Sequence, residues 1–174
     1  LINSEQIYLK ANKLINTHDT RNPIKIAKET GIQIMPIDYF NNLLGMYTSV
    51  WRNRVIFLNT RMDEYLTKMV AAHELGHDIY HRELAKSEGL KEFELFRMNN
   101  STEYEANAFA AHLLIDTDEC LELARDGYDV VQMAGMMNSE INLMLIKLQE
   151  MIRLGYEIRL PMEPRGDFFK NIRA

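Results

Sequence analysis

The chain has 174 residues with 47% hydrophobic and 26% charged side chains, enough for one domain with its own core and far from the composition of a disordered or collagen-like polypeptide. Its net charge of −5 is uneven: residues 1–60 hold seven Lys/Arg against four Asp/Glu, residues 61–128 seven against fifteen, and the remainder six of each, so the acidic middle argues against a nucleic-acid surface there. One cysteine, Cys120, cannot bridge internally, no apolar run approaches the roughly 18 residues of a membrane span, and Glu5 and Gln6 stand where a signal peptide has its apolar stretch, so a cytoplasmic protein of a reducing compartment, without membrane attachment, is expected.

In chain order, residues 4–15 place Ile7, Leu14 and Ile15 near helical spacing, and 23–29 read as a short helix with Pro23 in its first turn, stopped by Gly31. Ile32, Ile34 and Ile37 surround Met35-Pro36 in a β-rich stretch, and strands follow over 43–50 and 54–58 with Arg52-Asn53 as the turn, giving a small sheet of about three strands. Thr60 starts a long helix with Asp63 or Glu64 in its first turn and an apolar stripe through Leu66, Met69, Val70, Tyr80 and Leu84. A polar, Glu-rich segment over 83–100 leads to a second long helix over about 102–115, whose apolar set is Ala106, Phe109, Ala110, Leu113 and Leu114. Shorter helices are expected over 116–125, 129–137 and 139–154, the last with Ser139 and Gly155 as caps, before an irregular end. The pattern predicts an α+β fold, mostly helical, with a three-stranded sheet ahead of the first long helix. Residues 1–127 read as the domain proper and 128–174 as a C-terminal helical segment packed on it.

The chemistry concentrates in His73-Glu74-Leu75-Gly76-His77. Two histidines at i and i+4 on a helix face one way and can hold one zinc ion from one side. They lie on the apolar stripe, so both imidazoles should be buried, and one metal satisfies both. A catalytic zinc takes three protein ligands and leaves a position for water, so a third ligand must come from elsewhere. His81 lies a turn further along, but at about 1.5 Å rise per residue three ligands on one straight helix spread over about 12 Å, too wide for bonds of about 2 Å; His81 suits an outer or substrate-facing role, or none. On the second helix Glu103 shares a face with Ala106, Asn107, Ala110 and Leu114, and Glu105 with Phe109 and His112. Small alanines let helices approach closely, which favours Glu103 as ligand with Asn107 as a hydrogen-bond partner behind a ligating histidine, Glu105 remaining the alternative.

These residues resemble a known family. The His73 to His77 motif, followed by Glu103-Tyr104-Glu105-Ala106-Asn107-Ala108-Phe109-Ala110-Ala111-His112-Leu113-Leu114, is similar to the two signatures of the ImmA/IrrE metallopeptidases, the second of which is a Glu-x-x-Ala-x-x-Phe-Ala run ending in Leu-Leu. The resemblance covers about residues 40–115. It implies a zincin-like fold and a gluzincin-like site: His73, His77 and Glu103 as ligands of Zn2+, and Glu74 as catalytic acid/base. It departs after Leu114, where the family often has Pro and this chain has Ile115-Asp116-Thr117. Compact relatives of this kind are anti-repressors of phages and mobile elements that cut or otherwise inactivate a helix-turn-helix repressor encoded beside them, which implies a separate protein chain as partner. The resemblance also implies a peptide extended along a sheet edge, and the 43–58 hairpin is the expected contact.

Two other readings compete. A zinc-containing module that only binds its partner would use the same ligands, but has no need of Glu74 and would more often close with a fourth Cys or His. A DNA-binding regulator is suggested by the paired helices over 129–154, yet the would-be recognition helix offers only Lys147 and Arg153 as basic residues.

Overall fold

Side chains that seize free backbone amides set most of the helix starts. The computed structural model describes residues 3–38, 42–51, 53–86, 90–92 and 101–158. Asn3 caps α1 (Ser4–His18) and Asn22 caps α2 (Pro23–Glu29), where Pro23 occupies a first-turn position that needs no donor. Asp63 caps α3 (Glu64–Tyr80), accepting from the Leu66 amide. After α4 (Ser101–Leu114), Asp116 accepts from the amides of Asp118 and Glu119 to start α5 (Thr117–Arg125). Asp129 and Gln132 form a capping box on α6 (Val130–Met136), and Glu140, rather than the expected Ser139, caps α7 (Ile141–Arg153).

The sheet has four strands in the order β1 (Gln33–Ile37), β3 (Asn53–Asn59), β2 (Gly45–Val50) and β4 (Leu90–Glu92). β1 runs parallel to β3, while β2 is antiparallel to both β3 and β4. The fold is α+β with its small sheet ahead of α3, and the segment read only as a polar connector returns one short strand to it. That strand pairs with Gly45 to Tyr47 and β1 pairs along β3 from Val55 to Asn59, so the 43–58 hairpin expected to receive a peptide is flanked on both sides and, among the described residues, β2 keeps an edge only over 48–50. The hairpin register pairs Val50 with Asn53, which moves the turn one residue earlier than expected and puts Trp51 in the left-handed region at φ 52° with 93% of its surface exposed.

α3 runs through the middle of the molecule. Every residue from Met69 to Asp78 is buried, because the sheet packs on one side and α4 on another. The helix stops at Tyr80 and not at Leu84, which is exposed in a short 3-10 turn (Leu84–Lys86). Two polar ties lock this arrangement. Asp78 accepts from Tyr47 Oη at 2.7 Å, from Arg54 at 3.0 Å and from Arg82 at 3.0 Å, joining α3 to β2 and β3. Arg21 donates to the free carbonyls of His112 and Leu113 at the end of α4 and pairs with Asp116. On the far face of α4 lies α7, with Met144, Met151 and Lys147 fully buried. The one lysine of the helix that superficially suited DNA reading therefore points into the core.

Candidate metal centre

The sheet and α4 clamp the middle of α3 from two sides, and the site forms on the α4 side. His73 and His77, one turn apart on α3, both turn their Nε2 atoms toward Glu103 in the first turn of α4. Nε2 of His73 lies 3.3 Å from one Glu103 carboxylate oxygen and Nε2 of His77 lies 3.7 Å from the other. The two Nε2 atoms are 2.9 Å apart. Among the described residues these three side chains form a group whose ligand atoms all lie within 4.8 Å of one another.

Close helix approach makes this convergence possible. A Cβ on Gly76 would stand 3.0 Å from Cα and 3.2 Å from the carbonyl oxygen of Ala106, so the pair Gly76 and Ala106 brings the two backbones nearly into contact. Glu103, one turn before Ala106, is then within reach of the imidazoles.

The donor set fits a metal on chemical grounds. Burial pushes the His77 imidazole down to about 4, against the opposing effect of its bond to Glu103, so the ring is neutral. Burial works to raise the Glu103 carboxyl, but the two imidazoles facing it outweigh that and hold it well below the usual carboxylate range. Neutral imidazole and ionised carboxylate are the states that ligands need. When Nδ1 of each ring carries the proton, two lone pairs face each other at the Nε2 atoms, a repulsion that a cation between them removes. Ligand atoms around a tetrahedral ion with bonds of about 2 Å stand roughly 3.3 Å apart, close to the separations here.

Around this set lie further residues. Asn107, expected behind a ligating histidine, has Oδ1 2.9 Å from Nδ1 of His73. Nδ1 of His77 faces Nδ1 of His81 at 3.0 Å, and Nε2 of His81 faces a Glu105 oxygen at 2.9 Å. Glu105, the alternative third ligand, thus belongs to His81 and lies outside the clustered group. Glu74 is fully buried on the sheet side of α3, under the start of β2: a Cβ on Gly45 would fall 2.5 Å from Val70 Cγ1 and 2.8 Å from Glu74 Oε1. Sequence reasoning passed over Gly45; its only signal was a glycine inside a strand pattern, which marks a close approach.

Two buried histidines and one carboxylate on adjoining helices, in a segment that also carries a buried glutamate, suit a metallopeptidase-like domain. Residues 27–143 match the Peptidase_M78 family, the IrrE N-terminal-like domain, and the chain belongs to this family. It is also similar to an immunity region protein of Bacillus phage phi105, "Uncharacterized immunity region protein 2", with 33% identity over 103 residues, 59% of this chain and 64% of that protein. The chain therefore matches somewhat less than two thirds of that relative's length. No helix among the described residues is long and apolar enough to cross a membrane.

Proposed function

We propose that the protein is a zinc-dependent endopeptidase that cleaves a specific protein, a helix-turn-helix repressor of a phage or mobile element, and so relieves repression in the cytoplasm. The observation that carries this reading is the convergence of His73 Nε2, His77 Nε2 and the Glu103 carboxylate within 4.8 Å of one another, with the buried Glu74 adjoining His73 in the chain. On this reading residues 1–127 are the peptidase unit, and the C-terminal segment 128–174, of which 159–174 lie outside the described residues, belongs to the same domain, as the packing of α7 on α4 supports. Similarity to a phage immunity region protein supports a partner encoded in such a region.

His73, His77 and Glu103 would hold the ion, and zinc in that set supplies Lewis acidity, polarising a carbonyl and acidifying water. Glu74 acts as the base that takes a proton from the attacking water and then delivers it to the leaving amine nitrogen. Asn107 holds the His73 ring so that Nε2 faces the other candidate ligand atoms.

The test compares zinc content and cleavage of the repressor encoded beside this chain for the wild type and Glu74→Gln. Both proteins should hold about one zinc while Glu74→Gln cleaves about 10²–10⁴-fold more slowly. If both hold zinc, both bind the repressor and neither cuts it, the protein works by binding and the peptidase reading is wrong.

A further inference from the structure

We infer that His81 and Glu105 form a positioning relay behind His77, fixing the ring and its proton so that Nε2 is presented to the metal; the inference rests on the metal-centre reading above. The geometry is serial. A Glu105 oxygen lies 2.9 Å from Nε2 of His81, whose Nδ1 lies 3.0 Å from Nδ1 of His77, whose Nε2 lies among the clustered ligand atoms.

Helix spacing explains how His81 meets His77. His81 is the residue that closes α3: its amide donates to the His77 carbonyl at 2.9 Å, but its own backbone leaves the helix at φ −124° and ψ 21°. Its ring, i+4 from His77 and so one turn along the same face, meets that of His77 at a ring separation of 5.1 Å. Both nitrogens of His81 face fixed partners, so it is not available as a ligand itself.

Proton positions then follow in one direction. A metal takes the Nε2 lone pair of His77, so the ring proton sits on Nδ1 and is donated to Nδ1 of His81. His81 must accept there, which places its own proton on Nε2, where Glu105 accepts it. The carboxylate at the end of the chain thereby sets two tautomers, the arrangement that raises ligand basicity and orients ligating histidines. Asn107 serves His73 by a separate and shorter route, a single amide oxygen at 2.9 Å. The two ligands are thus supported independently, one by a neutral group and one through a relay ending in a charge.

The test reads zinc affinity by competition with a chromophoric chelator, together with the visible absorption bands of the cobalt-loaded protein, for the wild type, Glu105→Ala, Glu105→Gln, His81→Ala, Asn107→Ala and the paired variants. Glu105→Ala and His81→Ala should each weaken zinc about 10–100-fold and shift the cobalt bands, since outer partners of ligands act at that scale. The double variant should lose no more than the worse single one, whereas Glu105→Ala combined with Asn107→Ala should show additive losses. Glu105→Gln should recover part of the affinity, because its amide oxygen still accepts from Nε2 of His81. Glu105 is only half-buried, so its variants are the ones least disturbing to folding. If the wild type takes up no zinc, the metal-centre reading fails and the relay with it. If the wild type binds one zinc and Glu105→Ala holds it as tightly, or the Glu105 and His81 losses add, the relay is overturned while the metal centre stands.

Discussion

Gly45 shows how a single residue can shape the site without bearing any chemistry. Its position is set by the missing side chain: the strand passes so low over α3 that a methyl group would overlap Val70 and Glu74 Oε1. Gly45→Ala must therefore move Glu74 or lift the start of β2. With Glu74 as the proposed base, misplacing it by about 1 Å can cost about 10²-fold in rate, so the proposed cleavage should fall by at least about tenfold with zinc content unchanged; kinetics beside metal analysis will check it, and an unaltered rate at full zinc would refute the positioning. Trp51 is the opposite case. It is a bulky residue held at φ 52° with 93% of its surface exposed, so the turn carries backbone strain and no compensating burial. Trp51→Asn should stabilise the fold by about 1 kcal/mol, measured as a higher urea midpoint by circular dichroism, since the variant also removes the only tryptophan.

At the scale of elements, the contact between α3 and α4 decides whether the three candidate ligands meet. Alanine at position 76 would gain roughly 1 kcal/mol of helix propensity over glycine, but its Cβ would press on the Ala106 backbone at 3.0 Å and on Phe109 at 3.3 Å. Backbone cannot step aside as a flexible side chain does. Gly76→Ala should thus separate the helices, cost about 1–3 kcal/mol net and weaken zinc binding by drawing Glu103 away; unfolding with and without zinc reads both effects. This contact also shows what could be read in advance. The i, i+4 spacing put His73 and His77 on one face and the alanines at 106 and 110 marked the close side of the second helix, because both are properties of one helix. The His81 to Glu105 pairing and the fit of Gly45 over Glu74 depend on how separate elements dock, and no local period encodes that. The return of residues 90–92 to the sheet was likewise hidden, since three residues carry too little pattern to separate a strand from a loop.

The molecule as a whole buries a second polar cluster on the side of α4 away from the metal centre. Lys147 on α7 is fully buried, donating to Thr117 Oγ1 at 2.8 Å with Nζ 3.2 Å from Nδ1 of His112. Nearby, Glu150 accepts from Tyr104 at 2.6 Å and from Arg153 at 3.0 Å. Burial pushes the Lys147 ammonium down to about 8 from 10.5. Below pH 8 both folded and unfolded chains hold the proton, and the folded state bears the whole cost of a buried charge. Between pH 8 and 10.5 the unfolded chain binds more protons, so stability rises with pH through that window, by about 3 kcal/mol if this group acted alone. Other groups oppose it from the alkaline side. Burial raises the Cys120 thiol to about 11, so the folded chain keeps a proton that the unfolded one loses from about pH 9 upward, and the buried Tyr47 and half-buried Tyr65, both pushed up to about 12, act in the same sense from about pH 10. The lysine's contribution is therefore clearest between pH 8 and 9, and Lys147→Met isolates it. Measured by urea unfolding, the stability difference between the wild type and this variant should shift in the wild type's favour as pH rises from 7.5 to 9. A difference independent of pH over that range would mean that Lys147 titrates like an exposed lysine, and that its bonds to Thr117 and His112 compensate its burial in full.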